Sequence, residues 1–310
     1  MTSPTATLIH RDKSNAPAWA APLRELYPFD SHFLELDAGR MHFVDEGPTE
    51  APPLLCVHGN PTWSFLFRRQ IQELRGEMRV VAPDHLGCGL SDQPEKWSYR
   101  LADHVQNLVR LIDHLDLRNV TLLVHDWGGA IGLGAALQRR ERIARLVITN
   151  TAAWTSDLMP GRIGLCRVPG LGRLALQGCN AFARAATFMA VERSMPRAVR
   201  RAFVKPYARP RSARATWHFV NDIPMDAAHP SWETLEAISE GVSAFRDRPS
   251  LILWGEKDWC FTPAFRAEWE RRLPDAASHP LPGAGHYLFE DAPAEIERHL
   301  RAFLQTEGVL

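Results

Sequence analysis

The sequence has no excess of charge of either sign, and this balance excludes some kinds of partner. Its 310 residues include 36 Lys and Arg against 36 Asp and Glu. We therefore expect neither a nucleic-acid-binding protein nor one drawn as a whole to an anionic membrane. Hydrophobic residues account for 45% and charged residues for 23%. These are the proportions of a globular protein with a sizeable core.

Long apolar segments and paired cysteines are also lacking. Residues 1–26 are rich in Ala, Pro and charge and contain no apolar run long enough for a signal sequence or a membrane span. The five cysteines include no Cys-x-x-Cys pair, and their odd number leaves one without a partner. We predict buried thiols in a reducing cytoplasm, without a disulfide framework. The sequence predicts no metal and no cofactor.

Short apolar runs alternate with helical segments through much of the chain. After an arm at residues 1–30, alternating apolar positions around Asp37-Ala38-Gly39 predict a hairpin. Continuous apolar runs follow at 53–57, 79–82, 120–124, 146–149 and 251–254, and helical spacing appears at 101–115 and 130–140. Such a pattern predicts an α/β protein with a mostly parallel sheet covered by helices on both faces.

The alternation stops between about Ala153 and Trp232. This stretch has a helical composition interrupted by prolines, and we predict an all-helical cap at residues 153–232, inserted after the sixth strand. The core would then consist of residues 1–152 and 233–310. Between Asp157 and Phe219 there are eleven Arg and one Lys against two acids. We interpret this basic bias as a solvated outer face.

Asp126 lies at the end of one predicted strand. It follows the run 120–124 and His125, and it precedes Trp127-Gly128-Gly129 and a predicted helix. In sheets of this kind the chemistry lies beyond the carboxyl ends of the strands. A tight strand-to-helix turn also requires small residues beside a nucleophile. We therefore predict that Asp126 is a nucleophile, with capping of the next helix as the alternative.

Two further residues fit the partners of such a nucleophile, in the chain order nucleophile, acid, histidine. Asp258 follows the run 251–254, and His286 lies on a glycine-containing loop after the last strand. We predict that His286 is the general base and Asp258 the acid that orients it. Glu256 is the competing acid. The end of the sixth strand, where some related enzymes place the acid, carries Asn150.

The loop after the third strand reads His58-Gly59-Asn60-Pro61-Thr62-Trp63-Ser64. We predict that the backbone N–H groups of Asn60 and Trp127 form an oxyanion hole. The glycine-containing turn from Asp84 to Asp92 is interpreted as structural.

An aspartate at the nucleophile position restricts the substrate. An alkoxide that attacked a saturated carbon would form an ether, which water does not readily cleave. A carboxylate forms an ester, and an activated water can hydrolyse its carbonyl. Asp126 therefore indicates an electrophilic saturated carbon with a leaving group, as in alkyl halides, epoxides and strained lactones.

These motifs resemble the haloalkane dehalogenase family of the α/β-hydrolase fold, over nearly the whole chain from about Tyr27. The resemblance implies that a halide is held between the indole of Trp127 and the side chain of Asn60. Asn60 together with an acid at Asp258 is similar to the third subfamily. Members of that subfamily closely resemble the β-lactone decarboxylase of bacterial long-chain olefin synthesis. Cap segments 180–182, 191–196 and 221–224 are similar to both, so motifs do not separate them.

Three other functions fit less well. Epoxide hydrolases need two cap tyrosines to protonate the epoxide oxygen, whereas Tyr207 alone of the four tyrosines lies in the predicted cap. Fluoroacetate dehalogenases carry an Arg where Trp127 stands here, so we expect a substrate uncharged near the reacting carbon. A catalytically silent binding module would have lost part of the triad, and all three members are present.

The sequence narrowly favours dehalogenation, a hydrolysis of haloalkanes to alcohol and halide through a covalent ester, with β-lactone decarboxylation as the alternative. The expected partners are a small apolar substrate, water and a halide product, with no nucleic acid and no transmembrane segment. A homo-oligomer or an assembly with olefin-pathway enzymes stays open. Five aromatic residues are candidates for the pocket walls, with ordinary core packing as the alternative: Trp154, Phe182, Phe188, Phe203 and Trp217.

Overall fold

The computed structural model of the chain describes residues 17–156, 161–167, 176, 180–209 and 212–310. An eight-stranded sheet forms the centre, in the order β1-β2-β4-β3-β5-β6-β7-β8. Its strands are β1 His32–Leu36, β2 Gly39–Glu46, β3 Pro53–Val57, β4 Arg79–Pro83, β5 Val120–His125, β6 Ile143–Thr149, β7 Ser250–Gly255 and β8 Ala277–Leu281. The pairs β1–β2 and β2–β4 are antiparallel, and every later pair is parallel. The predicted sheet is confirmed.

Helices cover both faces of this sheet. The α-helices of the core are α1 Arg68–Leu74, α2 Leu101–His114, α3 Trp127–Gln138, α9 Pro263–Arg272, α10 Leu288–Asp291 and α11 Pro293–Thr306. Short 3-10 helices lie at Ala18–Leu23, Ser64–Phe67, Arg140–Arg142, Lys205–Tyr207 and Val242–Phe245. Alternate side chains of β3 enter different hydrophobic clusters: Leu55 and Val57 join one, and Leu54 and Cys56 join the other. Burial on both faces explains the continuous apolar runs.

The last strand has a different composition. β8 lies at the edge of the sheet and pairs with β7 alone, and its residues are mostly half-buried or exposed. A strand with one partner and a partly solvated face does not need a continuous apolar sequence. For this reason no apolar run marks its position.

In the residues that the structure describes between β6 and β7, the regular elements are helices joined by turns and loops. Its helices are α4 Gly161–Cys166, α5 Ala181–Met189, α6 Arg197–Val204, α7 Arg214–Asn221 and α8 Trp232–Gly241. Hydrogen bonds tie it to the loop after β3, because the Trp63 indole donates to the Ala202 carbonyl at 3.3 Å and the Tyr207 hydroxyl to the Thr62 carbonyl at 2.9 Å. The segment therefore covers the carboxyl ends of the parallel strands. The domain boundaries drawn from the sequence stay predictions.

Several sequence predictions concern the chain outside this sheet. Residues 1–16 of the predicted arm, Cys179 and the side chain of Cys166 lie outside the described residues. Cys56, Cys88 and Cys260 are free thiols. None of the described helices combines the length and the apolar character needed to cross a membrane.

The turn after β4 is held by a buried carboxylate. Asp84 accepts hydrogen bonds from the backbone N–H of Ser64 at 2.7 Å, from that of Leu90 at 2.8 Å and from the His42 ring at 2.8 Å. Burial raises the pKa of Asp84, but the His42 charge, its hydrogen bond and the other partners outweigh burial, and the net pKa lies below the usual range. The structural interpretation of this turn agrees with these contacts.

We expect Asp84→Asn to lower the free energy of unfolding by about 3 kcal/mol, since it removes one partner of a buried charged network. Because the folded-state pKa is depressed, the stabilisation is present above the ordinary carboxyl pKa, about 4, and is lost as the pH falls through the folded-state value. Urea unfolding of both proteins as a function of pH checks this. Asp37→Asn, on an exposed side chain paired with Arg110, is the matched control. An equal effect of both substitutions would contradict the prediction.

Candidate active site

Asp126 occupies a strained turn between β5 and α3. Its backbone has φ 52° and ψ −129°, in the positive-φ region that side chains other than glycine rarely adopt. Its side chain accepts no hydrogen bond from the second or third residue of α3, which an N-cap side chain would do, so the alternative role as a helix cap is not observed. The following glycines are required by space, because a Cβ at Gly128 would collide with the Val57 carbonyl and one at Gly129 with Thr151.

The Asp126 carboxylate lies in a cradle of backbone donors. The Asn60 N–H donates to Oδ1 at 2.5 Å, and the Trp127 backbone N–H also donates to the carboxylate. The other oxygen, Oδ2, lies 3.6 Å from His286 Nε2. Asp126 itself is 7% exposed. Such an arrangement holds one oxygen in place and leaves the second near the imidazole.

His286 lies on the loop after β8, between two carboxylates. Its Nδ1 donates to Asp258 Oδ2 at 2.7 Å. Asn150 Nδ2 donates to the same oxygen at 2.9 Å, and the Cys260 backbone N–H donates to Oδ1 at 2.7 Å. The competing acid Glu256 instead pairs with Arg266. The structure thus brings Asp126, His286 and Asp258 into one line of contacts.

His125 supports the histidine loop from below. Its Nε2 donates to the His286 carbonyl at 2.9 Å, and the two rings lie 4.6 Å apart between centroids. Burial, with the His286 charge acting in the same direction, holds the pKa of His125 well below its usual range. A neutral ring donates one N–H and adds no charge beside the site.

The charges of Asp126 and His286 depend on each other. Burial raises the pKa of Asp126 above its usual range, and the His286 charge and the two backbone donors oppose this only in part. Burial alone would lower the pKa of His286, but the charge and hydrogen bond of Asp258 and the charge of Asp126 outweigh it, so this pKa is raised. The negative charge of Asp126 and the positive charge of His286 therefore stabilise each other.

A cavity of about 410 Å³ opens over Asp126, Trp127 and Asn60. Its walls are mostly apolar and come from two groups. Trp154 and Phe265 belong with the main core, whereas Ile163, Val220 and Phe182 form a smaller hydrophobic cluster in the helical segment. Among the described residues, no group of three or more His, Cys, Asp or Glu side chains could hold a metal ion.

Three of the five predicted wall aromatics do not line this cavity. Trp154 and Phe182 do, but Phe188 is 64% exposed, because six residues along α5 turn its side chain by about 120° away from that of Phe182. Phe203 is buried against Phe65 and Tyr287. Trp217 packs against the smaller cluster without reaching the cavity. Aromatic spacing alone did not fix which way each ring faces.

Two neutral donors line the cavity beside Asp126. The Asn60 amide donates one N–H of Nδ2 to the Thr216 carbonyl at 3.3 Å, which leaves the second N–H available, and its Oδ1 has no partner among the residues that the structure describes. The Trp127 ring packs 5.4 Å from Phe219, and its indole N–H has no acceptor among the described residues. Neutral N–H groups can stabilise a departing anion without holding it too tightly.

Comparison with known proteins places this geometry in a family. The family model for the alpha/beta hydrolase fold matches residues 52–293. The chain belongs to the alpha/beta hydrolase family. A cis-3-alkyl-4-alkyloxetan-2-one decarboxylase of Shewanella oneidensis is 37% identical to it, over 92% of this chain and 92% of that protein.

Two further relatives of this alpha/beta hydrolase are haloalkane dehalogenases. Haloalkane dehalogenase 2 of Mycobacterium tuberculosis is 33% identical, over 89% of this chain and 95% of that protein. The crystal structure of haloalkane dehalogenase DbeA from Bradyrhizobium elkani matches with a TM-score of 0.81 at 26% identity, covering 91% of this chain and 98% of that chain. The resemblance inferred from motifs is confirmed.

Some lining residues could not be found from the motifs. Trp259, Cys260 and Phe261, on the loop after Asp258, all line the cavity. The alanines of α5 at 181, 185 and 186 do so too, and their i, i+4, i+5 spacing is the signal that marks one face of a helix. Small side chains on that face leave the space that a substrate needs.

We expect Gly59→Ala to lower kcat/KM with a β-lactone or a bromoalkane by at least about 100-fold, the effect of losing one oxyanion donor. An added Cβ would collide with Asp126 Oδ1 and with Trp127 N, so the cradle cannot keep its geometry. The matched control is Gly76→Ala, whose Cβ meets no atom within 4 Å. Steady-state kinetics and thermal unfolding of both variants separate a lost site from a lost fold.

The pH dependence of the first chemical step should follow Asp126. Because the carboxylate alone attacks, the single-turnover rate of bromide release from a bromoalkane should fall as the pH drops through the raised pKa of Asp126. His286→Phe removes a charge that lowers this pKa, so the acid limb should move to higher pH. His279→Phe, at the edge strand, serves as the control. A limb that stays in place in His286→Phe would refute this assignment.

Proposed function

We propose that this chain decarboxylates β-lactones that carry alkyl arms on two neighbouring ring carbons, giving carbon dioxide and a cis-alkene. The observation that carries the proposal is a buried carboxylate, Asp126, in the lining of a cavity with two apolar walls. A volume of about 410 Å³ is in the range of pockets that enclose whole ligands, roughly 300–1,000 Å³. Higher identity to an oxetanone decarboxylase than to a dehalogenase, 37% against 33%, supports the same choice.

In the first step, Asp126 Oδ2 attacks the saturated ring carbon that bears the ring oxygen. A carbon–oxygen bond forms to Asp126, and the ring carbon–oxygen bond breaks, so the freed carboxylate stays tethered to the neighbouring carbon. The side-chain N–H groups of Asn60 and Trp127 are placed to stabilise the negative charge that develops on the departing carboxylate. Attack from the back inverts the reacting carbon.

The second step follows from that inversion. In the ring, the carboxyl carbon and the ring oxygen are eclipsed; after back-side attack, the Asp126 oxygen lies anti to the carboxylate. The bond to the carboxylate then supplies the electron pair of the double bond, carbon dioxide departs, and the ester bond returns its pair to Asp126. With cis arms on the ring, inversion and anti elimination place both arms on the same side of the alkene. Atoms and charge balance without water.

The triad residues have different roles in the two candidate reactions. In decarboxylation, the charge of His286 favours the anionic form of Asp126, Asp258 orients His286, and no proton moves. In dehalogenation, which the narrow sequence preference favoured, His286 must deprotonate a water that attacks the Asp126 ester. The indole of Trp127 and the second N–H of Asn60 support dehalogenation as the second candidate, because both could hold a halide.

The epoxide alternative receives no support from the tyrosines. The Tyr207 hydroxyl donates to the Thr62 carbonyl, and the residue does not line the cavity. Tyr287 does line it, but it follows His286 on the core loop. A cytoplasmic location and self-assembly remain predictions from the sequence.

Purified protein should convert a cis-3,4-dialkyl β-lactone to carbon dioxide and a cis-alkene, measured by gas chromatography with mass detection. We expect Asp126→Asn to lower the rate by at least about 1,000-fold, as for loss of other nucleophiles. Asp275→Asn, on an exposed side chain, should leave it unchanged. In water labelled with oxygen-18, no label should enter Asp126, because the lyase reaction consumes no water.

The alternatives give different results in the same experiment. Release of bromide from bromoalkanes with label entering Asp126, and no carbon dioxide from the lactone, would replace the proposal with dehalogenation. Turnover of neither substrate by folded protein over several chain lengths would overturn both.

A further inference from the structure

Helix α5, Ala181–Met189, separates the active-site cavity from a second groove on the surface. Ala185 and Met189 line the cavity. Arg184, Thr187 and Phe188 line the groove on the other side of the same helix. The groove therefore lies directly beside one wall of the cavity, although no residue of the catalytic site enters it.

The groove is strongly cationic. Five basic side chains line it, from α5, α6 and the turn that follows: Arg184, Arg197, Arg200, Arg201 and Lys205. No acid forms an ion pair with any of them in the part of the chain that the structure describes, and no acidic residue lines the groove. Elsewhere most surface arginines are paired, for example Arg139 with Asp113 and Arg271 with Glu268. An overall balanced charge thus conceals a local cationic surface.

The two large hydrophobic side chains most exposed among the described residues lie at this end of α5, Phe188 in the groove and Met189 at the neighbouring edge of the cavity. Phe188 is 64% exposed and Met189 42%. The guanidinium of Arg200 lies 4.6 Å from the centre of the Phe188 ring, so apolar and cationic groups are interleaved. Trp19 and Leu26 form part of the floor. On α6, Val199, Ala202 and Phe203 are buried while the arginines face outward, which is the pattern of an amphipathic basic helix.

We propose that this groove and the Phe188–Met189 edge form a docking surface for an anionic phospholipid bilayer. The five basic side chains, which have no ion-pair partner among the described residues, fit the negative headgroups. An exposed phenyl ring with a thioether fits the boundary with the acyl chains. The interpretation from the sequence, a basic face that only contacts water, would not explain why two large apolar side chains are exposed beside these cations. This inference rests on the proposed function. A lactone with two alkyl arms partitions into lipid, so a membrane-binding surface beside the cavity would bring the active site to its substrate.

Vesicle binding tests the surface without any turnover. We expect the protein to sediment with vesicles of equal parts phosphatidylglycerol and phosphatidylcholine, not with phosphatidylcholine alone, and to dissociate as salt is raised. The triple variant Arg197→Gln, Arg200→Gln, Arg201→Gln should bind roughly 100-fold more weakly, since each basic residue near an anionic surface contributes about five-fold. Phe188→Ser should weaken binding about ten-fold through lost apolar contact.

The control variant loses the same charge elsewhere. Lys96→Gln, Arg145→Gln, Arg298→Gln, at positions outside the groove, should bind within about two-fold of the parent if the location of the charge decides. Asp126→Asn should bind like the parent, so failure of the proposed chemistry leaves this result intact. Turnover of a short-armed, water-soluble lactone should be unchanged in the triple variant.

Three outcomes would overturn the proposal. Binding to both vesicle types alike would show that charge is not recognised, and equal losses in the two triple variants would show that the groove is not the site. Absence of vesicle binding together with groove-dependent binding of a synthetic peptide rich in Glu and Phe would assign the surface to an acidic protein partner.

Discussion

The site depends on two backbone N–H groups that converge on one oxygen-bearing side chain. Asn60 lies on the loop after β3, and Trp127 is the first residue of the helix after β5. Their N–H groups meet only because these two parallel strands are neighbours in the sheet. A carboxylate that is buried and held in this way keeps its negative charge localised. The rest of the site either protects this contact or uses it.

Much of the surrounding sequence is constrained by the same contact. Gly59 and Gly128 have no space for a Cβ, since the backbone must approach Asp126 and β3 closely. Asp84, on the turn after β4, also binds the backbone N–H of Ser64, and so fixes the far end of the Asn60 loop. His125 and Asn150 perform the equivalent task on the other side, by holding His286 and Asp258.

The sequence predicted those residues whose position in the site is determined by the course of the backbone. Asp126, His286 and Asp258 follow strands or glycine-containing loops, so their order and neighbours were sufficient to bring them together. The cap aromatics were different, because a ring on a helix faces cavity, core or solvent according to tertiary packing. Phe182 and Phe188 are similar in sequence context, yet six residues of helical rotation separate a lining residue from an exposed one.

The hydrogen bonds between the helical segment and the loop after β3 limit how the cavity can open. Trp63, Tyr207 and Asn60 all join that loop to the helices above it. Lifting the helical segment as a rigid roof would pull on the loop that supplies the Asn60 donor, and so would dismantle the cradle at each turnover. Entry and exit beside the alanine-lined face of α5 would leave these hydrogen bonds intact. Substrate and products would then exchange while the helical segment stays in place over the site.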